Sequence, residues 1–116
     1  MDENKLVTEK KILYCRPIRI LFTQSELDKQ DEFKQQSGMT YNSLTDRAIA
    51  FYIDNRIFEN SPEESEPKKE KKTFRERWIS EIVYQKLLGF CNSQNRATIS
   101  NVTAQAVSHF IDLHNT

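Results

Sequence analysis

The chain is poor in nearly everything that builds a catalytic or metal-binding protein. Its 116 residues include two glycines, two cysteines and two histidines, and Lys+Arg balances Asp+Glu at 17 each. So few glycines leave no glycine-rich loop to cradle a phosphate. Cys15 and Cys91 belong to no CxxC or Cys/His grouping, and His109 and His114 lack a carboxylate or cysteine at ligand spacing. Neither a disulfide framework nor a metal site is therefore expected. No nucleophile, histidine and carboxylate are spaced as a catalytic set, and so short a chain can hardly supply a deep pocket. The expectation is a binder, not an enzyme, with no cofactor. Zero net charge requires any anion-binding surface to come from local segregation of charge. With no apolar run near the length of a membrane span or signal-peptide core, a soluble cytoplasmic protein without a membrane partner is expected.

What the chain does have is a repeat. TYNSLTDRAIAFYID (residues 40–54) and TISNVTAQAVSHFID (98–112) share both threonines, an alanine (Ala48, Ala106) and the final Ile-Asp. Leu44 matches Val102, Ile49 matches Val107 and Tyr52 matches Phe110, so the apolar spacing persists where the letters change. A unit of roughly 45 residues is near the lower limit for folding alone, and pairing with its copy supplies the missing core.

Local patterning divides the chain into an arm (1–14), a first unit (15–58), a charged linker (59–72) and a second unit (73–116), the two units sharing one core. Ile18, Ile20 and Phe22 alternate with Pro17, Arg19 and Leu21, as a strand with one buried face requires. Thr23 and Glu26 form a capping box for a helix that Gly38 ends. Thr40 is the N-cap of a second helix, with Met39 and Leu44 as a hydrophobic staple and Leu44, Ala48, Phe51 and Tyr52 on its buried side. The stretch ENSPEESEPKKEKK carries no core residue and reads as a linker. Beyond it TFRERWIS is the second strand and Ser80 the N-cap of a helix bearing Val83, Leu87, Leu88, Phe90 and Cys91. Pairing Ser80 with Thr23 gives an offset of 57 residues, whereas Ile111 and Ile53 lie 58 apart, which places one inserted residue in the turn SQNRA.

Strand, capped helix, glycine turn and second helix, as in RPIRILFTQSELDKQDEFKQQSGMTYNSLTDRAIAFYI, resemble the ribbon-helix-helix family of DNA-binding proteins. Two such units in tandem resemble TraY-type relaxosome proteins and other plasmid mobilisation accessory proteins. The resemblance implies a mainly α fold with a short two-stranded antiparallel ribbon, in which a duplicated ribbon-helix-helix forms an intramolecular pseudo-dimer. It implies sequence-specific binding to double-stranded DNA with the ribbon in the major groove, as a small transcriptional repressor or relaxosome accessory protein. Further partners would be a second copy on DNA, or a relaxase-like or toxin-like protein. The alternative is a protein-interaction module of antitoxin type or an assembly adaptor.

If Ile18, Ile20 and Phe22 face the core, Pro17, Arg19 and Leu21 face the DNA, with Arg19 the reader of guanine. In the second strand either Arg75 and Arg77 face outward, or Phe74, Glu76 and Trp78 do. The arginines are preferred as readers, because burying two guanidinium groups without carboxylates is costly, and Trp78 is then assigned to packing. Phosphate contacts are expected at the second helix of each unit, from Thr40, Tyr41 and Asn42 and from Thr98, Ile99 and Ser100. Lys5, Lys10, Lys11, Lys68, Lys69, Lys71 and Lys72 would add non-specific attraction, although Glu63, Glu64, Glu66 and Glu70 oppose the linker lysines.

Overall fold

A computed structural model describes residues 13–57, 71–93 and 98–114. The expected arm up to residue 12, most of the expected linker, the inserted residue of the second turn, and the lysines Lys5, Lys10, Lys11, Lys68 and Lys69 lie outside the described residues.

In chain order the elements are strand β1 (Tyr14–Thr23), helices α1 (Gln24–Ser37) and α2 (Tyr41–Asp54), strand β2 (Lys72–Ser80), and helices α3 (Glu81–Ser93) and α4 (Ile99–His114). Among the described residues the fold is mainly helical with a two-stranded antiparallel sheet. A lone strand leaves its N–H and C=O groups unpaired, and β2 supplies β1 with partners from Arg16↔Ile79 to Thr23↔Lys72. With those partners β1 starts at Tyr14, two residues earlier than the alternation alone suggests, across an irregularity between Tyr14 and Arg16.

The first helix forms as its capping residues dictate. The Glu26 N–H donates to Thr23 Oγ1 (3.2 Å), while the Thr23 N–H donates to Glu26 Oε1 (2.8 Å). Gly38 closes α1 in the left-handed region at φ 78°, its N–H reaching the Lys34 carbonyl at 2.9 Å. Thr40 then caps α2, its Oγ1 accepting the Ser43 N–H at 3.1 Å. Thr98 does the same for α4 through the Asn101 N–H, also at 3.1 Å.

One core unites both halves. Ile18, Ile20 and Phe22 of β1 are buried, and so are Leu44, Ala48 and Tyr52 of α2 with Val102, Ala106, Val107 and Phe110 of α4. Each large apolar side chain withdrawn from water in this way contributes about 1.5–3 kcal/mol. The second helix of each half crosses to the other half: α4 lies against β1, α2 lies against β2, and α2 and α4 pack together. Only Val83 and Leu87 of α3 are fully buried; Leu88, Phe90 and Cys91 sit half-buried at its rim. The helices thus cover one face of the ribbon and leave the other to solvent.

Candidate nucleic-acid interface

The uncovered ribbon face is set by the cross-strand register. Pro17 pairs with Trp78, Arg19 with Glu76 and Leu21 with Phe74. Opposite residues of an antiparallel pair point to the same side. Pro17, Arg19, Phe74, Glu76 and Trp78 are exposed and Leu21 is half-buried, so these six form the outward surface. Pro17, Arg19 and Leu21 stand where the strand alternation puts them. Arg19 lies over the Phe74 ring, 4.4 Å from its centroid.

The second strand corrects the expected assignment. Arg77 is only 4% exposed and points into the core beside Ile79, not outward. Arg75 shares its side of the strand and stays exposed, near the end of the ribbon, with Nη1 donating to the Phe74 carbonyl at 3.2 Å. Neither arginine is the cross-strand partner of Arg19; that place belongs to Glu76. Trp78, assigned to packing, is on the outward face. The expected obstacle was two buried guanidinium groups, but one alone is buried and it has acceptors. Arg77 Nη1 donates to Gln30 Oε1 at 2.9 Å and, more weakly, to Thr45 Oγ1 at 3.4 Å. The Tyr41 and Phe22 rings flank the guanidinium at 4.6 and 5.1 Å, the cation–π contact that suits a weakly hydrated guanidinium. Burial still pushes the Arg77 pKa down, with Arg75 adding to the effect and Tyr41 and Asp31 opposing it. The group nevertheless remains a cation at neutral pH.

The expected phosphate-binding residues have unequal roles. Thr40 and Thr98 are exposed at the helix starts, each engaged as an N-cap. Asn42 and Ser100 are committed to the ribbon itself: Asn42 Oδ1 accepts the Trp78 N–H and Ser100 Oγ accepts the Leu21 N–H, both at 2.9 Å. These bonds satisfy outer-edge donors that a two-stranded ribbon would otherwise leave open. Ile99 is half-buried against the core. The Tyr41 hydroxyl donates to Asp31, and that hydrogen bond, with burial, raises its pKa. Lys34 lies 4.3 Å above its ring. Tyr41, Lys34, Arg75 and Thr40 thus border a polar groove at the start of α2.

The outward placement of Glu76 was within reach of the sequence, because the 57-residue offset that pairs Thr23 with Ser80 also carries outward Arg19 onto Glu76. Asn42 and Ser100 as ribbon clamps had no such signal. Among the described residues no three His, Cys, Asp or Glu side chains gather as a metal site. No helix among them is long and apolar enough to cross a membrane. The chain matches no protein-family model, no curated protein and no solved structure.

Proposed function

We propose that the chain is an intramolecular pseudo-dimer of two ribbon-helix-helix units that binds double-stranded DNA sequence-specifically, with its ribbon in the major groove. Matched contacts support the pseudo-dimer. Asn42 holds Trp78 as Ser100 holds Leu21, and Lys86 pairs with Asp54 as Lys29 pairs with Asp112, each at 2.7 Å. Corresponding partners lie 57 residues apart in the strands and first helices and 58 apart in the second helices, the spacing of the repeat.

The observation that carries DNA binding is the two-stranded ribbon with one face open and Arg19 at its middle. Such a ribbon fits the major groove, where arginine makes a two-pronged contact to guanine and apolar side chains meet the thymine methyl. Arg19 is the principal reader, with Pro17 and Leu21 beside it; Arg75, on the flank of the ribbon, adds attraction for phosphate. The exposed helix starts at Thr40 and Thr98 orient the ribbon on the backbone through their N–H groups, without reading sequence. On this reading the chain serves as a small transcriptional repressor or a relaxosome accessory protein.

A second reading has its own observation. Phe74 and Trp78 on the open face are 52% and 40% exposed, more aromatic surface than phosphate attraction needs, and it suits an antitoxin-type or adaptor interface with a protein. Titration with a mixed-sequence duplex at several salt concentrations separates the two. DNA binding releases counterions, so affinity should fall steeply between 50 and 200 mM salt, roughly as the number of phosphates contacted. Duplex binding that is absent at low salt would leave the protein-interaction reading alone.

A further inference from the structure

The middle of the open ribbon face holds a charge pair that an exact two-fold could not produce. Arg19 and Glu76 are direct cross-strand partners, and the repeat offset maps one onto the other. A true homodimer would place two arginines or two glutamates there. Both side chains are exposed. They do not neutralise each other: among the described residues Glu76 has no hydrogen-bond or ion-pair partner, and Arg19 rests on the Phe74 ring at 4.4 Å. A free carboxylate in the centre of a surface facing a polyanion is unfavourable unless it meets a donor.

The major-groove edge of one base pair supplies that donor beside the acceptors arginine needs. Guanine offers O6 and N7 as acceptors, and its partner cytosine offers the N4 amino group. Side chains opposite each other on an antiparallel ribbon have Cβ atoms about 5 Å apart, close enough to address the two halves of one pair. Resting on the DNA-binding reading above, we propose that Arg19 and Glu76 together read a single G·C pair at the centre of the site, Arg19 on guanine and Glu76 on cytosine. The reversed pair sets the guanidinium against an amino donor and the carboxylate against two acceptors. Recognition at the centre therefore fixes which way round the chain lies on the duplex. The flanks keep the two directions distinguishable, since Leu21 with Phe74 lies on one side of the pair and Pro17 with Trp78 on the other.

Selection of the full chain against a randomised duplex pool tests this. The wild type should enrich one central G·C pair in a fixed orientation relative to the flanking bases. Glu76→Ala removes an exposed carboxylate that has no side-chain partner among the described residues, and with it the acceptor for cytosine, while leaving folding intact; it should cut discrimination for cytosine at that position by about 5- to 150-fold, the equivalent of about 1–3 kcal/mol. The double exchange Arg19→Glu with Glu76→Arg should turn the central pair round while the flanking bases stay in place. A centre indifferent to base identity, or an orientation unchanged by the double exchange, would overturn the assignment while leaving DNA binding standing. No enrichment from any pool, with binding absent at low salt, would overturn both.

Discussion

Beneath the two strands the core is built differently at positions that the repeat relates. Under β2, Arg77 reaches Gln30 of α1 and Thr45 of α2. The residues one repeat away are Ile20, Leu87 and Thr103, and all three are fully buried. The two threonines are the part that did not change, and they fare differently. Thr45 Oγ1 accepts from Arg77 and donates to the Tyr41 carbonyl at 2.8 Å, whereas Thr103 Oγ1 is buried with no hydrogen-bond partner among the described residues. Buried polar groups stabilise when they form a connected set and destabilise singly. A guanidinium is tolerated under β2 because Gln30 and the shared threonine accept from it and the Phe22 and Tyr41 rings flank it. One repeat away the glutamine and both rings are replaced by Leu87, Ile79 and Ile99.

The largest effect should come from forcing one side to imitate the other incompletely. Ile20→Arg places a cation where Leu87 stands in the position of Gln30, with no amide to accept from it. An unpaired buried charge of this kind costs about 3–5 kcal/mol, enough to unfold a marginal domain. Urea denaturation should give a far lower midpoint than the wild type. A midpoint within experimental error of the wild type would mean that the two sides are not structurally equivalent.

Next in size is the removal of the Arg77 acceptor. Gln30→Leu alone should cost about 1.5–3 kcal/mol, the range for a hydrogen bond to a charged group. Adding Arg77→Ile converts the polar side into the apolar one, and the pair of substitutions should recover most of that loss, since buried ionic groups are replaceable by well-packed apolar ones. A double-mutant cycle measures the coupling. Additive losses would show that Gln30 and Arg77 contribute independently and that the connected-set account is wrong.

The same two sides show what could be read in the sequence and what could not. Ile18, Ile20 and Phe22 announced their buried face by plain alternation, and Thr23, Glu26 and Gly38 announced the ends of α1, because caps and periodicity are local. The register of β2 was not local. TFRERWIS offers an arginine or an aromatic to either face, and general desolvation cost favoured exposing both arginines. That cost is overturned by Gln30, a residue 47 positions away in sequence whose side chain meets Arg77 only in the folded chain. The repeat held the corrective: carried over by 57 residues, inward Ile20 falls on Arg77 and outward Arg19 on Glu76. Asn42 and Ser100 were placed correctly at the helix starts. What their side chains bind depends on how α2 and α4 cross to the opposite strands, which no local pattern encodes.

A smaller and sharper comparison uses the threonines themselves. Thr45→Val removes a hydroxyl with two partners and should cost about 1 kcal/mol, while Thr103→Val removes one that is desolvated and unpaired and should be neutral or stabilising by up to about 1 kcal/mol. The opposite signs, read from paired urea curves, are the point of the experiment. Equal losses at both sites would show that the Thr103 hydroxyl has a partner after all.

The smallest expected effect lies at the outer end of the ribbon, where the two sides also differ. Arg16 Nε donates to Glu81 Oε1 at 2.5 Å and its guanidinium lies 4.8 Å over the Tyr84 ring. One repeat away Thr73 and Gln24 carry no charge, and Gln24 bonds Asp28 within its own helix at 2.9 Å. The hydrogen bond from Arg16, then that from Gln85, holds the Glu81 pKa below the ordinary carboxylate range, and Glu81 raises the Arg16 pKa in turn. A carboxylate whose folded pKa is depressed adds stability above its unfolded pKa, about 4.3 for glutamate, and loses it as pH falls through the lower folded value. The wild type should therefore lose slightly more stability than Glu81→Gln as pH is lowered from 6 into that range, and the two should run parallel above it. Because the pair is open to solvent the difference should shrink in high salt. Thermal midpoints of both proteins across this pH range, at low and high salt, check it, and a gap between them that does not change with pH would remove the Arg16–Glu81 pair as its cause.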